Sequence, residues 1–216
     1  TFENCEFHEA RINLIIGKVG NGKSTLLNKL TKEVAVRWNK NAIFAQSKSL
    51  TANKNSTIGT RTNIMNELKK QFAQLPESKQ NNLKETDFGF NNKTSQCPVC
   101  KGTGLVKTNL DFLPDVSEIC SECNGKRYVP ELLNYHFQNK NIAEWLNLSI
   151  EELQKQNFWT QKTQLDFKLL TQVGLSYLSA GREIGSLSQG EQRRLALAEQ
   201  LHELQKTNNQ PLVILF

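Results

Sequence analysis

The 216-residue sequence lacks any long apolar segment, and no run approaches the roughly 20 residues that a helix needs to cross a bilayer. Its first residues also lack the charged, apolar and small-residue segments of a secretory signal peptide. These two absences argue against membrane-spanning and secreted classes of protein. We therefore expect a cytoplasmic protein with no membrane partner.

Acidic residues are the scarcer charged class: 21 Asp and Glu stand against 27 Lys and Arg, which gives a formal net charge of +6. A basic surface favours a polyanionic partner. A solvated basic face would give the same composition, so charge alone leaves the partner open.

Cysteine is sparse, and its placement is informative. There are five cysteines, and Cys5 stands alone, where we expect a small buried hydrophobic residue. The other four form two Cys-x-x-Cys pairs, Cys97 with Cys100 and Cys120 with Cys123. In a chain that is not secreted, such pairs indicate metal binding more readily than disulfides.

The spacing of the two pairs is within the range of a four-cysteine zinc site. Two residues between cysteines let both thiolates bind one ion, and four thiolates complete a tetrahedral shell without an open position. A glycine follows each pair two residues on, Gly102 and Gly125, where it can relieve a crowded turn. We predict a structural zinc ion (Zn2+); unpaired thiols, an iron–sulfur cluster and a redox dithiol are the alternatives.

A glycine-rich segment lies between a predicted strand and a predicted helix. The strand is the β-branched run RINLII at residues 11–16, and the helical pattern starts near Ser24. Between them, GKVGNGKST fits the phosphate-loop pattern G-x-x-x-x-G-K-[ST]. Backbone N–H groups of such a loop converge on phosphate oxygens, and the helix N-terminus adds its positive dipole end. A plain glycine turn is the alternative.

We predict that this loop binds ATP. Lys23 would reach the β- and γ-phosphates as a catalytic residue, and the Ser24 hydroxyl would bind Mg2+. The predicted nucleotide contacts of the loop are Gly17, Gly20, Asn21, Gly22, Lys23, Ser24 and Thr25.

Residues 187–194 (LSQGEQRR) resemble the LSGGQ-type signature of ABC ATPases, here in an L-S-x-G-E form. A serine and a glycine that open a helix form a second anion cradle through backbone N–H groups and the helix dipole. Ser188, Gly190 and Glu191 are the predicted nucleotide contacts. The string alone could be a helix cap, but its position after a phosphate loop and before the apolar run at residues 212–216 favours the signature.

The chain resembles the UvrA family, the damage-recognition ATPases of bacterial nucleotide excision repair, and especially their C-terminal cassette. The matching strings keep the family's order: the phosphate loop, then residues 97–104, 111–116, 120–128, 141–146 and 173–178, and the signature. The resemblance implies ATP, Mg2+ and zinc as cofactors. It also implies double-stranded DNA, UvrB-like and UvrC-like proteins, a second ABC cassette and a homodimer as partners.

The resemblance assigns further roles. Gln46 stands where the family has a catalytic loop glutamine that senses Mg2+ and the γ-phosphate. Ser188 and Gly190 would contact a nucleotide held by another cassette. The run at residues 212–216 matches the strand before the family's acidic catalytic residues, which we expect beyond Phe216. We therefore expect a piece of a longer ATPase, inactive without the missing part.

Some strings depart from the family. Gln189 stands where the signature usually has glycine, and residues 47–50 (SKSL) stand where the family typically has a P-I-G-R-T-like string. Residues 55–59 (NSTIG) match the family only loosely. These loops lie near the DNA-facing side in the family. The alternative function is a UvrA-like or other ABC ATPase without a repair role, serving drug resistance or translation.

The predicted fold class is an α/β P-loop ABC-type ATPase cassette with a helical signature region and a zinc-binding insertion. The predicted segments are a nucleotide-binding core (residues 1–55), a first helical part (56–90), the zinc-binding module (91–129), a second helical part (130–186) and the signature helix with its following strand (187–216).

Local patterns predict several elements. We expect a strand at residues 42–45, a helix over 60–75 stopped by Pro76, a capping pair of Ser149 and Glu152, and a helix over 163–173 ended by Gly174. Residues 88–129 lack helical periodicity, so something other than a large apolar core must hold them.

Five cations flank the cysteine pairs: Lys93, Lys101, Lys107, Lys126 and Arg127. We predict that they bind DNA phosphates, which would hold a duplex without reading its bases. Cations that only solubilise the module and offset the charge of four thiolates are the alternative.

Overall fold

The structure is a computed structural model that describes residues 18, 20–38, 42–44, 55–110, 113–206 and 212–214. The chain divides into two compact units, Thr1–Ser47 with Gln200–Phe216 and Lys48–Glu199. Cys5, Gly17, Gln46 and the predicted strand at residues 11–16 lie outside the described residues. No helix of the described part is both long enough and apolar enough to cross a membrane.

The α-helices of the described residues are α1 (Lys23–Trp38), α2 (Ile58–Arg61), α3 (Ile64–Ala73), α4 (Pro76–Gln80), α5 (Ile142–Asn147), α6 (Ile150–Gln154), α7 (Gln161–Gln172) and α8 (Gln189–Lys206). The strands are β1 (Ala42–Phe44), β2 (Leu105–Leu110), β3 (Leu113–Ile119) and β4 (Leu212–Ile214). Short 3-10 helices cover Glu85–Phe88, Pro130–Asn134 and Ile184–Ser186.

The first unit contains a parallel pair of strands and the helix that follows the phosphate loop. β1 and β4 pair with Ala42 opposite Leu212 and Phe44 opposite Ile214. Parallel strands need a long crossover connection, and here the whole second unit lies between them in the sequence. Both strands form where the apolar runs predicted them.

The amphipathic helix predicted over residues 60–75 forms as α3, but its predicted start near Thr60 is wrong. The helix is divided into α2 and α3 at Thr62 and Asn63. Thr57 and Thr60 cap each other and start α2 early. The carboxylate of Asp166 in α7 accepts hydrogen bonds from the Asn63 backbone N–H at 2.8 Å and from its side-chain amide at 2.9 Å. A tertiary contact therefore overrides the local helical pattern.

Pro76 opens a helix as well as following one. α3 ends at Ala73, and Pro76 is the first residue of α4. Proline suits this position because the first N–H groups of a helix have no partner within it.

The predicted capping pair at α6 is confirmed. The Glu152 N–H donates to Ser149 Oγ at 3.2 Å, and the Ser149 N–H donates to the Glu152 carboxylate at 2.8 Å. α7 ends at Gln172, and Gly174 has a φ of +71°, as predicted for a residue just beyond a helix end. These features are local, which is why the sequence reveals them.

A chain of aromatic rings forms much of the interior of the second unit. Phe72 of α3 contacts Phe88 and Phe137, with ring centroids 5.4 and 6.2 Å apart. Phe137 continues to Trp145 of α5 at 5.9 Å and to Phe158 at 4.9 Å. Such ring pairs add stability beyond the area they bury. They hold together helices that are too short to be stable alone.

Residues 88–129 contain a β-hairpin that the sequence did not predict. β2 and β3 pair antiparallel, with Leu105 opposite Ile119, and the hairpin lies between the two cysteine pairs in sequence. Phe90 and Tyr128 flank those pairs and are buried, with ring centroids 6.0 Å apart. The described part of the segment thus combines this aromatic contact with a buried cysteine cluster.

Replacing Phe72 with alanine should lower the free energy of unfolding of the second unit by about 3–5 kcal/mol, because the ring is 0% exposed. The matched control is Asn66→Ala on the exposed side of α3, which should change it by less than about 0.5 kcal/mol. Urea unfolding measures both variants. Equal stability of the two would contradict the aromatic core described here.

Candidate nucleotide and metal sites

The phosphate loop turns through two glycines into α1. Gly20 and Gly22 have φ values of +89° and +73°, which favour glycine. The Asn21 N–H donates to the Lys18 carbonyl at 3.3 Å, and the Leu26 N–H donates to the Gly22 carbonyl at 2.9 Å. The described part of the loop is therefore a tight turn that leads directly into the helix.

The start of α1 suits an anion. Lys23 is its first residue, and the Lys23 ammonium donates to the Lys18 carbonyl at 2.7 Å, back across the loop. Ser24 and Thr25 are exposed. The first turn of α1 contains no acidic residue, so no carboxylate there neutralises the positive end of the helix dipole. A phosphate group is the ligand that this arrangement favours.

The signature helix α8 starts with a capping box. The Ser188 N–H donates to Glu191 Oε2 at 2.7 Å, and the Glu191 N–H donates to Ser188 Oγ at 3.3 Å. Because the Ser188 oxygen accepts this bond, its own proton can still be donated to a ligand. Ser188 and Gly190 are both exposed. The cap and the anion cradle can therefore coexist.

Tyr177, which sequence reasoning did not select, completes this cap. Its hydroxyl donates to Glu191 Oε1 at 2.5 Å. Donation from Tyr177, followed by the contacts with Ser188, lowers the pKa of Glu191 to about 2. The carboxylate raises the pKa of Tyr177 in return. Both Glu191 oxygens are thus engaged within the chain, although the sequence predicted Glu191 as a nucleotide contact.

The four cysteines of the two pairs converge on one point. Their sulfur atoms all lie within 4.8 Å of one another, and all four residues are buried. The Sγ–Sγ distance is 3.9 Å for Cys97 and Cys120 and 3.6 Å for Cys100 and Cys123. Four sulfurs bound to zinc at about 2.3 Å would lie about 3.8 Å apart at the corners of a tetrahedron. The residues present therefore fit a zinc ion.

The two pairs sit in turns of matching backbone geometry, which we call knuckle 1 (residues 97–104) and knuckle 2 (residues 120–127). Lys101 and Asn124, which directly follow the pairs, have φ values of +53° and +47°. Gly102 and Gly125 come next, at +83° and +77°. The predicted role of the two glycines in crowded turns agrees with these left-handed conformations.

Backbone N–H groups point at the sulfur atoms. The Gly104 N–H donates to Cys100 Sγ at 3.2 Å. A backbone hydrogen bond from Cys123 lowers the pKa of Cys120 to about 7. Burial instead raises the pKa of Cys97 and raises that of Cys123 to about 12. Buried thiols of this kind lose their protons when a metal ion binds, and the N–H groups then stabilise the thiolates.

The five cations predicted to contact DNA are not equivalent. Lys93, Lys101 and Lys126 are exposed. Lys107 lies in β2, and its side chain falls outside the described part. Arg127 is different, because its side chain is only 13% exposed and pairs with a carboxylate. Burial lowers the pKa of Arg127. Its contacts lie inside the protein, which sequence reasoning missed.

Gly102→Ala should destabilise the cysteine module by at least about 1–3 kcal/mol. At a φ of +83°, an added Cβ would lie 2.0 Å from the Phe90 carbonyl oxygen. Gly185→Ala is the control, since a Cβ there meets no heavy atom within 4 Å. Thermal unfolding compares the two variants. If Gly102→Ala were as stable as Gly185→Ala, the knuckle geometry would be incorrect.

Comparison with known proteins agrees with this fold and site. A family model described as ABC transporter matches residues 3–208. UvrABC system protein A of Streptococcus mutans is 32% identical over 219 residues, which cover 93% of this chain and 23% of that protein. The protein of the same name from Listeria monocytogenes is 34% identical over 233 residues, covering 98% and 24%.

A solved structure is similar as well. The crystal structure of UvrA2 from Deinococcus radiodurans matches with a TM-score of 0.75 and 30% identity, covering 85% of this chain and 24% of that chain. The chain thus spans about a quarter of the length of the relatives it matches. These matches confirm the predicted cassette fold and the predicted resemblance. Since the family model covers nearly the whole chain, this protein belongs to the ABC transporter family, with UvrA proteins among its relatives.

Proposed function

We propose that the chain is the ATP-binding part of a UvrA-type ABC ATPase that recognises damaged DNA in nucleotide excision repair. One observation carries the proposal: a phosphate loop, a four-cysteine module and an ABC signature follow one another in a single chain. The similarity to UvrABC system protein A over nearly the whole chain supports it. The same relatives do not favour a role in drug resistance or translation.

ATP would bind at the start of α1. The Lys23 ammonium, which now contacts the Lys18 carbonyl at 2.7 Å, would turn to the β- and γ-phosphates, and Ser24 would bind Mg2+. Gly17, Gly20, Asn21, Gly22 and Thr25 would complete the loop. Gln46 would sense Mg2+ and the γ-phosphate. The acidic residues of catalysis would follow β4 in the longer protein.

The signature would act on a nucleotide held by a second cassette, in a homodimer of the complete protein. The exposed Ser188 hydroxyl and the N–H of Gly190 would donate to the γ-phosphate. Glu191 would act indirectly, since its carboxylate holds the Ser188 N–H at 2.7 Å. One cassette alone would therefore not complete an active site.

The four cysteines would hold zinc, which supplies a structural cross-link between the knuckles. Cys97, Cys100, Cys120 and Cys123 would all be bound as thiolates. The exposed Lys93, Lys101 and Lys126, together with Lys107, would contact DNA phosphates around this module. UvrB-like and UvrC-like proteins would be the partners in the pathway.

Lys23→Ala in the complete protein should abolish ATP binding, because it removes the positive charge that faces the β- and γ-phosphates. Lys29→Ala is the matched control: Lys29 is on the same helix, and its side chain is 73% exposed in a pair with Glu33. Binding of fluorescent ATP measures the effect. Unchanged ATP affinity in Lys23→Ala would contradict the nucleotide site.

Replacing Lys93, Lys101 and Lys126 together with glutamine should weaken the binding of damaged and undamaged DNA alike. Each lost phosphate contact should lower the slope of log K against log salt by roughly 0.9. The matched control neutralises Lys79, Lys162 and Lys168, which are also exposed but lie away from the knuckles in sequence. An unchanged slope in the variant of Lys93, Lys101 and Lys126 would show that this module does not bind DNA.

A further inference from the structure

The two knuckles carry different residues at the position where each ends. Gly104 and Arg127 each stand four residues after the second cysteine of their pair, and their φ values are +76° and +74°. Glycine adopts this conformation without strain, whereas a residue with a Cβ does so rarely. Knuckle 2 therefore has an arginine where its backbone conformation favours glycine. Contacts of the arginine side chain have to offset this unfavourable conformation.

The Arg127 guanidinium leaves the knuckle and reaches another part of the second unit. Nη2 donates to the Gly181 carbonyl at 3.0 Å and lies 3.4 Å from Glu183 Oε1. Nη1 donates to the Gly102 carbonyl at 3.4 Å, and the guanidinium carbon lies 5.3 Å from the centroid of the Phe90 ring. One side chain thus joins both knuckles to residues 181–183.

Residues 181–183 lead directly into the signature. The Ile184–Ser186 3-10 helix follows them, and then Leu187 and Ser188. Their backbone is anchored elsewhere too: the Gly181 N–H donates to the Leu146 carbonyl at 2.7 Å, and the Ile184 N–H donates to the Ser56 carbonyl at 2.9 Å. Arg127 adds the contact that comes from the cysteine module.

An open groove of about 260 Å³ lies between knuckle 2 and this segment. Gly125 and Lys126 line it from the knuckle, and Arg182 and Ser186 line it from the segment before the signature. Arg127 is part of the same lining and bridges the two sides. The groove separates knuckle 2 from the segment before the signature. Because Arg127 spans it, a shift of knuckle 2 can move that segment.

We infer that Arg127 is a positioning residue that couples the cysteine module to the segment before the signature. The zinc-bound knuckles fix the Arg127 backbone, and its guanidinium holds the carbonyl of Gly181 and the carboxylate of Glu183. The geometry of the signature then depends on whether the metal is bound. This inference rests on the proposed zinc site and assigns Arg127 a role other than DNA contact.

Arg127→Gly in the complete protein separates the backbone role of the residue in knuckle 2 from the role of its side chain as a bridge. Glycine suits a φ of +74°, so knuckle 2 should keep its fold and its zinc while the bridge is lost. Hydrogen exchange measured by mass spectrometry should then show the amides of residues 180–188 exchanging about tenfold faster or more, as expected when bonds to a charged group are removed. Removal of zinc from the unaltered protein should accelerate hydrogen exchange at the same amides. Removal of zinc from Arg127→Gly should accelerate it little further.

Lys126→Gln is the control, because this exposed neighbour lines the same groove and should leave both zinc content and exchange unchanged. If Arg127→Gly kept its zinc and its slow exchange at residues 180–188, the coupling would be overturned. Loss of zinc from Arg127→Gly would overturn it as well, since Arg127 would then serve the knuckle. An unaltered protein that binds no zinc would instead refute the metal site itself, and the coupling with it.

Discussion

The convergence of four cysteine sulfurs is the constraint on which the middle of this chain depends. Among the described side chains of residues 88–129, few apolar ones besides the cysteines are buried, yet the segment brings two pairs of thiols within 4.8 Å of one another. Left-handed backbone at Lys101, Gly102, Asn124 and Gly125 makes this approach possible. Buried thiols without a cation are held together only weakly, whereas a metal ion supplies the cross-link that a small core lacks. The hairpin between the pairs then needs no large core of its own.

The two helix starts that we propose as anion cradles are built differently. α1 begins without an acidic residue and turns its lysine back onto the loop. α8 begins with a carboxylate, but Ser188 and Tyr177 hold that carboxylate in a cap. In the proposed function, the first arrangement would leave a positive helix end for a bound nucleotide, and the second would leave an exposed hydroxyl for a nucleotide bound elsewhere. This difference agrees with a cassette that binds one nucleotide and completes the site of another.

Local features could be predicted from the sequence, and so could the cysteine cluster, because its paired spacing is itself a signal. Other long-range contacts could not. The Ser149 cap and the position of Gly174 depend on a few neighbouring residues, so their patterns were sufficient. The break between α2 and α3 depends on Asp166, which is 103 residues from Asn63. Arg127 shows the same limit: its sequence neighbours identify it as one cation among five, whereas its contact with Gly181 exists only in the folded chain.

The central claim is that the four cysteines hold one structural zinc ion, and X-ray absorption combined with elemental analysis of the folded protein tests it most directly. The account predicts about one zinc per chain, bound by four sulfur atoms at about 2.3 Å. A correctly folded protein without metal would contradict it, as would zinc bound by nitrogen or oxygen ligands.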